Sequence, residues 1–123
     1  MAQRILVIED QEDLRAILRD LLTATGYEVL EARNGVEGVV KAEAERPDLI
    51  LMDIQLPQLD GYGATRRIKA LSGLERTPII AVSSFAMKGD EERARDAGCD
   101  AYVTKPYSPM QLLGLIQKFL IKS

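Results

Sequence analysis

The chain has 123 residues, a length that suits one domain with its own core. Hydrophobic residues make up 46% of it, charged residues make up 28%, and the net charge of −3 argues against nucleic-acid binding through clustered Lys and Arg. The absence of histidine excludes imidazole acid–base catalysis, and the single cysteine excludes an internal disulfide. With neither a signal peptide nor an apolar run near the roughly 20 residues of a membrane span, we expect a cytoplasmic protein without a membrane partner.

Short apolar segments alternate with longer amphipathic ones along the chain. In chain order, the pattern predicts strand Arg4–Ile8, a helix with Leu14, Ile17, Leu18, Leu21 and Leu22 on one face, strand Glu28–Ala32, helix Val36–Glu45, strand Leu49–Met52, helix Gly63–Leu71, strand Ile79–Val82, helix Asp90–Ala97, strand Ala101–Thr104 and helix Pro109–Ile121. Five strands separated by helices indicate an α/β, doubly wound (βα)5 fold with a mostly parallel sheet covered on both faces. No linker interrupts the pattern, so we expect a single domain over residues 1–123 and no output domain.

Polar or charged residues follow four of the five predicted strands. Glu9 and Asp10 follow the first strand, Asp53 the third, Ser83 the fourth and Lys105 the fifth. Parallel strands end at the same edge of a sheet, and ligands of such folds bind outside that edge. We therefore expect these five side chains to converge.

Convergence of three carboxylates points to a specific chemistry. The carboxylates would repel one another, and Mg²⁺, which prefers oxygen ligands, relieves that repulsion. Lys105 adds a positive charge and Ser83 a hydroxyl that can donate to an anion. A carboxylate nucleophile, a metal, a lysine and a hydroxyl are what phosphoryl transfer onto an aspartate requires.

The sequence resembles the receiver domain of two-component response regulators, which has the CheY-like variant of the flavodoxin-like fold. The resemblance rests on the acidic pair after the first strand and on the segments LMDIQLPQLDG, AVSS and YVTKP, and it covers essentially the whole chain. The segment FAMKGDEERARDAGCDAY is similar to DivK-type stand-alone receivers. This resemblance implies the strand order 2-1-3-4-5.

The resemblance also implies a role for each site residue. The expected roles are phosphoacceptor and Mg²⁺ ligand for Asp53, direct Mg²⁺ ligand for Asp10, ligand acting largely through water for Glu9, Mg²⁺ ligand through its backbone carbonyl for Gln55, switch hydroxyl for Ser83, switch aromatic for Tyr102 and phosphate contact for Lys105. The Lys105–Pro106 peptide bond is expected to be cis. The phosphoryl donor would be a histidine kinase or a histidine phosphotransfer protein.

Phosphorylation is expected to change which proteins the chain binds. The hydroxyl of Ser83 would move towards the phosphoryl group and Tyr102 would turn into the vacated space. The segment Lys88–Ala97 has few residues to bury, so we expect it to shift on phosphorylation.

The last helix is expected to present a surface to a downstream partner or to a second copy of the chain. Six apolar residues of this helix lie on its core-facing arc, whereas Met110 and Ile121 lie outside that arc, near Gly114 and Gln117. The predicted partner surface consists of these four residues and Tyr107.

Two other functions fit the sequence less well. An Asp-dependent phosphatase of the dehalogenase type needs a second carboxylate two residues after its nucleophile, and here that position is Gln55. A flavodoxin-like nucleotide or flavin binder needs a Gly-, Ser- or Thr-rich loop after the first strand, where this chain has IEDQEDL. The favoured interpretation is a response regulator that catalyses only its own phosphorylation and dephosphorylation. Mg²⁺-dependent labelling by acetyl phosphate, lost in Asp53→Asn, would separate the three functions.

Overall fold

A computed structural model describes residues 2–56, 58–84 and 89–121. Five strands and five helices alternate through these residues. In chain order they are β1 (Arg4–Ile8), α1 (Glu12–Ala24), β2 (Glu28–Ala32), α2 (Gly35–Glu45), β3 (Leu49–Asp53), α3 (Gly61–Lys69), β4 (Ile79–Ser83), α4 (Asp90–Ala97), β5 (Ala101–Thr104) and α5 (Pro109–Ile121). Among the described residues, no helix is long and apolar enough to cross a membrane.

The five strands form one parallel sheet with the order β2-β1-β3-β4-β5, as expected. Every residue of β3 and β4 is buried, because both strands lie inside the sheet and helices cover both faces. Alternate strand residues supply two separate cores. One core packs against α2, α3 and α4, and the other packs against α1 and α5.

Several element boundaries differ from the sequence prediction. Strands β3 and β4 each run one residue further than predicted, to Asp53 and Ser83. Helix α3 begins two residues earlier, at Gly61, because the Asp60 side chain accepts the N–H of Gly63 at 2.8 Å and caps the helix there. Its last residue is Lys69 rather than Leu71.

The apolar face of α1 also differs from the prediction. Leu18 and Leu22 are buried as expected, but Ile17 is 60% exposed. The side chain of Arg15, in contrast, is only 11% exposed. The buried face of α1 is therefore rotated about the helix axis, away from Ile17 and towards Arg15.

Helix α4 begins and ends where predicted and buries little. Its buried residues are Ala94 and Ala97, and Gly98 ends it with a φ of +114°. Residues 85–88, which include the start of the segment predicted to shift, lie outside the described part of the chain.

Candidate functional site

The carboxyl edge of the sheet carries the predicted site residues. Asp53 ends β3 and Ser83 ends β4, and both are almost fully buried. Glu9 follows β1 and donates its N–H to the carbonyl of Ala32 in β2 at 3.0 Å. Lys105 follows β5 and donates its N–H to the carbonyl of Ser83 at 2.7 Å. The backbone hydrogen bonds between neighbouring strands thus continue past the strand ends. They fix the backbone positions from which the Glu9 and Lys105 side chains extend.

Three carboxylates meet at this edge, as the sequence predicts. One oxygen from each of Glu9, Asp10 and Asp53 lies within 4.8 Å of the others. Glu9 is 3% exposed and Asp53 is 5% exposed, whereas Asp10 faces solvent. Buried charges need partners, and the Nζ atom of Lys105 lies 3.2 Å from Oε1 of Glu9 and 3.9 Å from Oδ2 of Asp53. One ammonium against three carboxylates leaves the cluster negative.

The pKa values of two of these carboxyls reflect the crowding. Burial raises the pKa of Glu9, and the hydrogen bond and negative charge of Asp53 raise it further, against the lowering effects of the Gln11 N–H and Lys105. Partial desolvation raises the pKa of Asp10, followed by its hydrogen bond to Glu9 and the charge of Glu9. In both cases the protein alone stabilises the ionised form poorly.

The donor set fits a magnesium ion. All three groups offer carboxylate oxygens, the ligand type that Mg²⁺ prefers. The exposure of Asp10 gives a bound ion a side open to the waters that Mg²⁺ usually retains. A divalent cation would also supply the charge that Lys105 alone does not balance.

Gln55 contacts the phosphoacceptor candidate through its backbone. Its N–H donates to Oδ1 of Asp53 at 3.0 Å, which orients that carboxylate. The Nε2 atom of its side chain is buried and has no hydrogen-bond partner within the described ranges. The role of the Gln55 carbonyl as a metal ligand stays a prediction.

The β5–α5 connection adopts the expected backbone. The Lys105–Pro106 peptide bond is cis, which confirms the prediction. The Ser108 hydroxyl accepts the N–H of Gln111 at 3.4 Å, so Ser108 caps α5 as it precedes Pro109.

The two switch candidates lie on neighbouring strands. Tyr102 is half-buried in β5 and pairs in register with Ala81, two residues before Ser83 in β4. Movement of Ser83 and Tyr102 stays a prediction.

The predicted partner surface lies on the exposed side of α5. Met110 is 77% exposed and Ile121 is 78% exposed, and Gly114 and Gln117 between them are also exposed. Tyr107 is half-buried, and burial followed by the charge of Glu9 raises its pKa. The exposure agrees with the predicted surface, and the binding role stays a prediction.

Arg15 contacts the site and was not among the residues predicted from the sequence. Its Nη1 atom donates to the backbone carbonyl of Glu9 at 2.9 Å, and its Nε atom donates to Oε1 of Glu31 at 3.1 Å. A signal was present, since Arg15, Leu18 and Leu22 have the i, i+3, i+7 spacing of a single helix face. An arginine on the buried face of a helix needs a partner, and here that partner is the loop that carries the acidic pair.

Comparisons with known proteins agree with this geometry. Residues 5–117 match the family model for the response regulator receiver domain. The chain is 46% identical over 120 residues, 98% of both sequences, to the polar-differentiation response regulator DivK of Brucella anthropi, and 44% identical over the same share to DivK of Brucella ovis.

Solved structures give the same result. The receiver domain of a sensor histidine kinase from Pseudomonas aeruginosa, described with a magnesium ion coordinated in its active-site cleft, superimposes with a TM-score of 0.91 at 38% identity over 98% of each chain. A CheY-like receiver domain protein from Methanospirillum hungatei superimposes with a TM-score of 0.93 at 31% identity, over 99% of this chain and 96% of that one.

Proposed function

Because the chain belongs to the response regulator receiver domain family, we propose that Asp53 accepts a phosphoryl group from a histidine kinase or a histidine phosphotransfer protein. The observation that carries the proposal is the convergence of Glu9, Asp10 and Lys105 on the Asp53 carboxylate, within 4.8 Å for the acids and 3.9 Å for the lysine. Glu9 and Asp10 would hold Mg²⁺ together with Asp53, with Asp10 as a direct ligand and Glu9 acting largely through water.

The transfer makes an acyl phosphate on Asp53. A bond forms between a carboxylate oxygen and phosphorus, the bond from phosphorus to the donor's nitrogen breaks, and the donor keeps that electron pair. The Gln55 N–H holds Oδ1 of Asp53, and the Lys105 ammonium stabilises negative charge on the phosphoryl oxygens. A bound Mg²⁺ would neutralise further charge on those oxygens.

The phosphoryl group then acts as a local charge that changes the surface. Ser83 donates to a phosphoryl oxygen, Tyr102 turns, and α4 shifts. The small buried area of α4, limited to Ala94 and Ala97, supports this step because weakly packed units move at low cost. Amide exchange with and without a phosphate mimic tests it, and equal protection across residues 84–98 would count against it.

Labelling by acetyl phosphate tests the main proposal. Covalent incorporation should require Mg²⁺ and should be lost in Asp53→Asn, while far-UV circular dichroism shows an unchanged fold. Asp10→Asn should weaken Mg²⁺ binding more than Glu9→Gln, since Asp10 is the proposed direct ligand. Labelling that persists in Asp53→Asn would disprove the assignment.

The same assay separates the alternative functions. We propose that the chain catalyses only its own phosphorylation and dephosphorylation, in the cytoplasm. Hydrolysis of phosphate monoesters, which are not phosphoryl donors for a receiver aspartate, would favour an Asp-dependent phosphatase. No labelling of the wild type under any metal condition would favour a flavodoxin-like binder.

A further inference from the structure

Arg15 connects three parts of the molecule around the acidic pair. It belongs to α1, its Nε atom binds Glu31 of β2, and its Nη1 atom binds the backbone carbonyl of Glu9. Its side chain is only 11% exposed. A charged side chain is rarely buried to that degree without a specific partner, and here the partners are a carboxylate and the loop of the site.

The bond to Glu9 constrains the residue that follows it. The Glu9 N–H is held by Ala32 at 3.0 Å, and the Glu9 carbonyl is held by Arg15 at 2.9 Å. Because the peptide unit is planar, holding the Glu9 carbonyl also sets the plane in which the N–H and Cα of Asp10 lie. Asp10 is exposed, so the packing of a core around its side chain does not hold it in place.

We propose that Arg15 is a positioning residue for the divalent-cation site, and this inference rests on the proposed function. Arg15 aims the carboxylates of Glu9 and Asp10 at the cation by holding the peptide between them. It touches neither the cation nor the phosphoryl group.

A simpler role for Arg15 would be an ion pair that ties α1 to β2. Arg19 provides the matched control, because it lies one turn further along α1 and its Nη1 atom is 3.5 Å from Oε2 of the same Glu31. Its side chain is 46% exposed. Arg15 and Arg19 therefore share a charge, a helix and a partner. They differ in exposure, in the contact of Arg19 with Asp20 and in the bond from Arg15 to Glu9.

If Arg15 positions the ligands, its removal should weaken cation binding. If Arg15 contributes only its charge, its removal should strengthen cation binding. Removal of a positive charge near a cation site strengthens cation binding by Coulomb's law. Loss of a residue that orients the ligands weakens cation binding, typically by at least about tenfold. Cation affinity thus distinguishes the two roles without any measurement of phosphorylation.

The experiment measures Mn²⁺ binding to the full chain from the electron paramagnetic resonance signal of free Mn²⁺, with Mg²⁺ as competitor. Arg15→Met should weaken Mn²⁺ binding by about tenfold, whereas Arg19→Met should leave it unchanged or slightly tighter. Without cation, the ¹H–¹⁵N amide resonance of Asp10 should shift in Arg15→Met and stay in place in Arg19→Met. If Arg15→Met fails to fold in a urea titration, Arg15→Gln takes its place, since Gln removes the charge and keeps a polar group beside Glu31.

The outcomes separate the inference from the function on which it rests. Wild-type chain that binds neither Mn²⁺ nor Mg²⁺ overturns the proposed cation site. Wild-type binding with unchanged or tighter binding in the folded Arg15 variant overturns the positioning role alone. Equal weakening in the Arg15 and Arg19 variants also overturns it, because the shared ion pair would then explain both.

Discussion

Gly61, the first residue of α3, should not tolerate even a methyl group. A Cβ at this position would lie 2.5 Å from the carbonyl oxygen of Asp53 and 2.6 Å from Cα of Ile54. Both atoms belong to the backbone at the end of β3, and the N–H of Gly61 also donates to the carbonyl of Ile54 at 3.1 Å. Gly61→Ala therefore has to push α3 away from the strand end that carries the phosphoacceptor candidate.

The expected loss of stability in Gly61→Ala depends on the backbone atoms that must move. Overpacking that displaces backbone costs about 1–3 kcal/mol. Gly114 in α5 is the matched control, because a Cβ there would meet nothing within 4 Å. Alanine in an open helix interior gains about 0.5–1 kcal/mol over glycine. The same chemical change should thus separate the two variants by about 1.5–4 kcal/mol.

Urea unfolding, monitored by circular dichroism, measures this difference in the free energy of unfolding between the two variants. With a slope of about 2 kcal/mol per M, a loss of 2 kcal/mol lowers the midpoint by about 1 M. Gly61→Ala should also bind Mn²⁺ more weakly than wild type, because the Asp53 peptide is displaced, whereas Gly114→Ala should bind it equally well. A Gly61→Ala variant as stable as Gly114→Ala would contradict the predicted clash with the Asp53 and Ile54 backbone.

Three further variants test other parts of the structure. Gln55→Met removes a buried donor without a described partner and keeps the backbone carbonyl, so it should raise the free energy of unfolding by about 1 kcal/mol in the same urea assay; a decrease would show that the amide is satisfied. Burial raises the pKa of the Cys99 thiol, so its stabilising contribution is complete below the unfolded-state value, about 8.5, and is lost as the pH rises through the folded-state value. Wild type should therefore lose more stability than Cys99→Ala between about pH 8 and pH 10, and equal losses would contradict this. Met110→Glu combined with Ile121→Glu should abolish association with a partner or a second copy and preserve labelling of Asp53; intact association would exclude this surface.

The sequence predicts most of the sheet and its polar edge, for a physical reason. Strands β3 and β4 are continuous apolar runs, and each ends in a polar residue, Asp53 and Ser83, that the sheet buries at its carboxyl edge. Parallel pairing then brings the strand ends together, whatever the details of the loops. The convergence with Glu9 and Lys105 also depends on the strand order, which the resemblance to receiver domains implied and the structure confirms.

Contacts between distant segments are not visible in local patterns. The Asp60 cap is a local signal for the start of α3, but the periodicity of apolar residues begins two positions later and does not use it. The closeness of Gly61 to β3, in contrast, is a tertiary contact. The crowding around Gly61 depends on a strand end eight positions earlier in the chain. The distance between Gly61 and the Asp53 carbonyl depends on how α3 packs against β3, which apolar periodicity does not indicate.

The rotation of α1 shows which interactions decide its orientation. Full burial of an isoleucine side chain is worth about 1.5–3 kcal/mol, so leaving Ile17 60% exposed forgoes roughly half of that or more. Hydrogen bonds from a charged group contribute about 1.5–3 kcal/mol each, and Arg15 makes one to Glu31 and one to the Glu9 carbonyl. The two Arg15 bonds offset the exposed part of Ile17, less the cost of desolvating the guanidinium, and α1 turns its arginine inward. Apolar periodicity therefore misplaces the inner face of this helix because the residues that hold the acidic loop, rather than the leucines alone, determine how α1 packs.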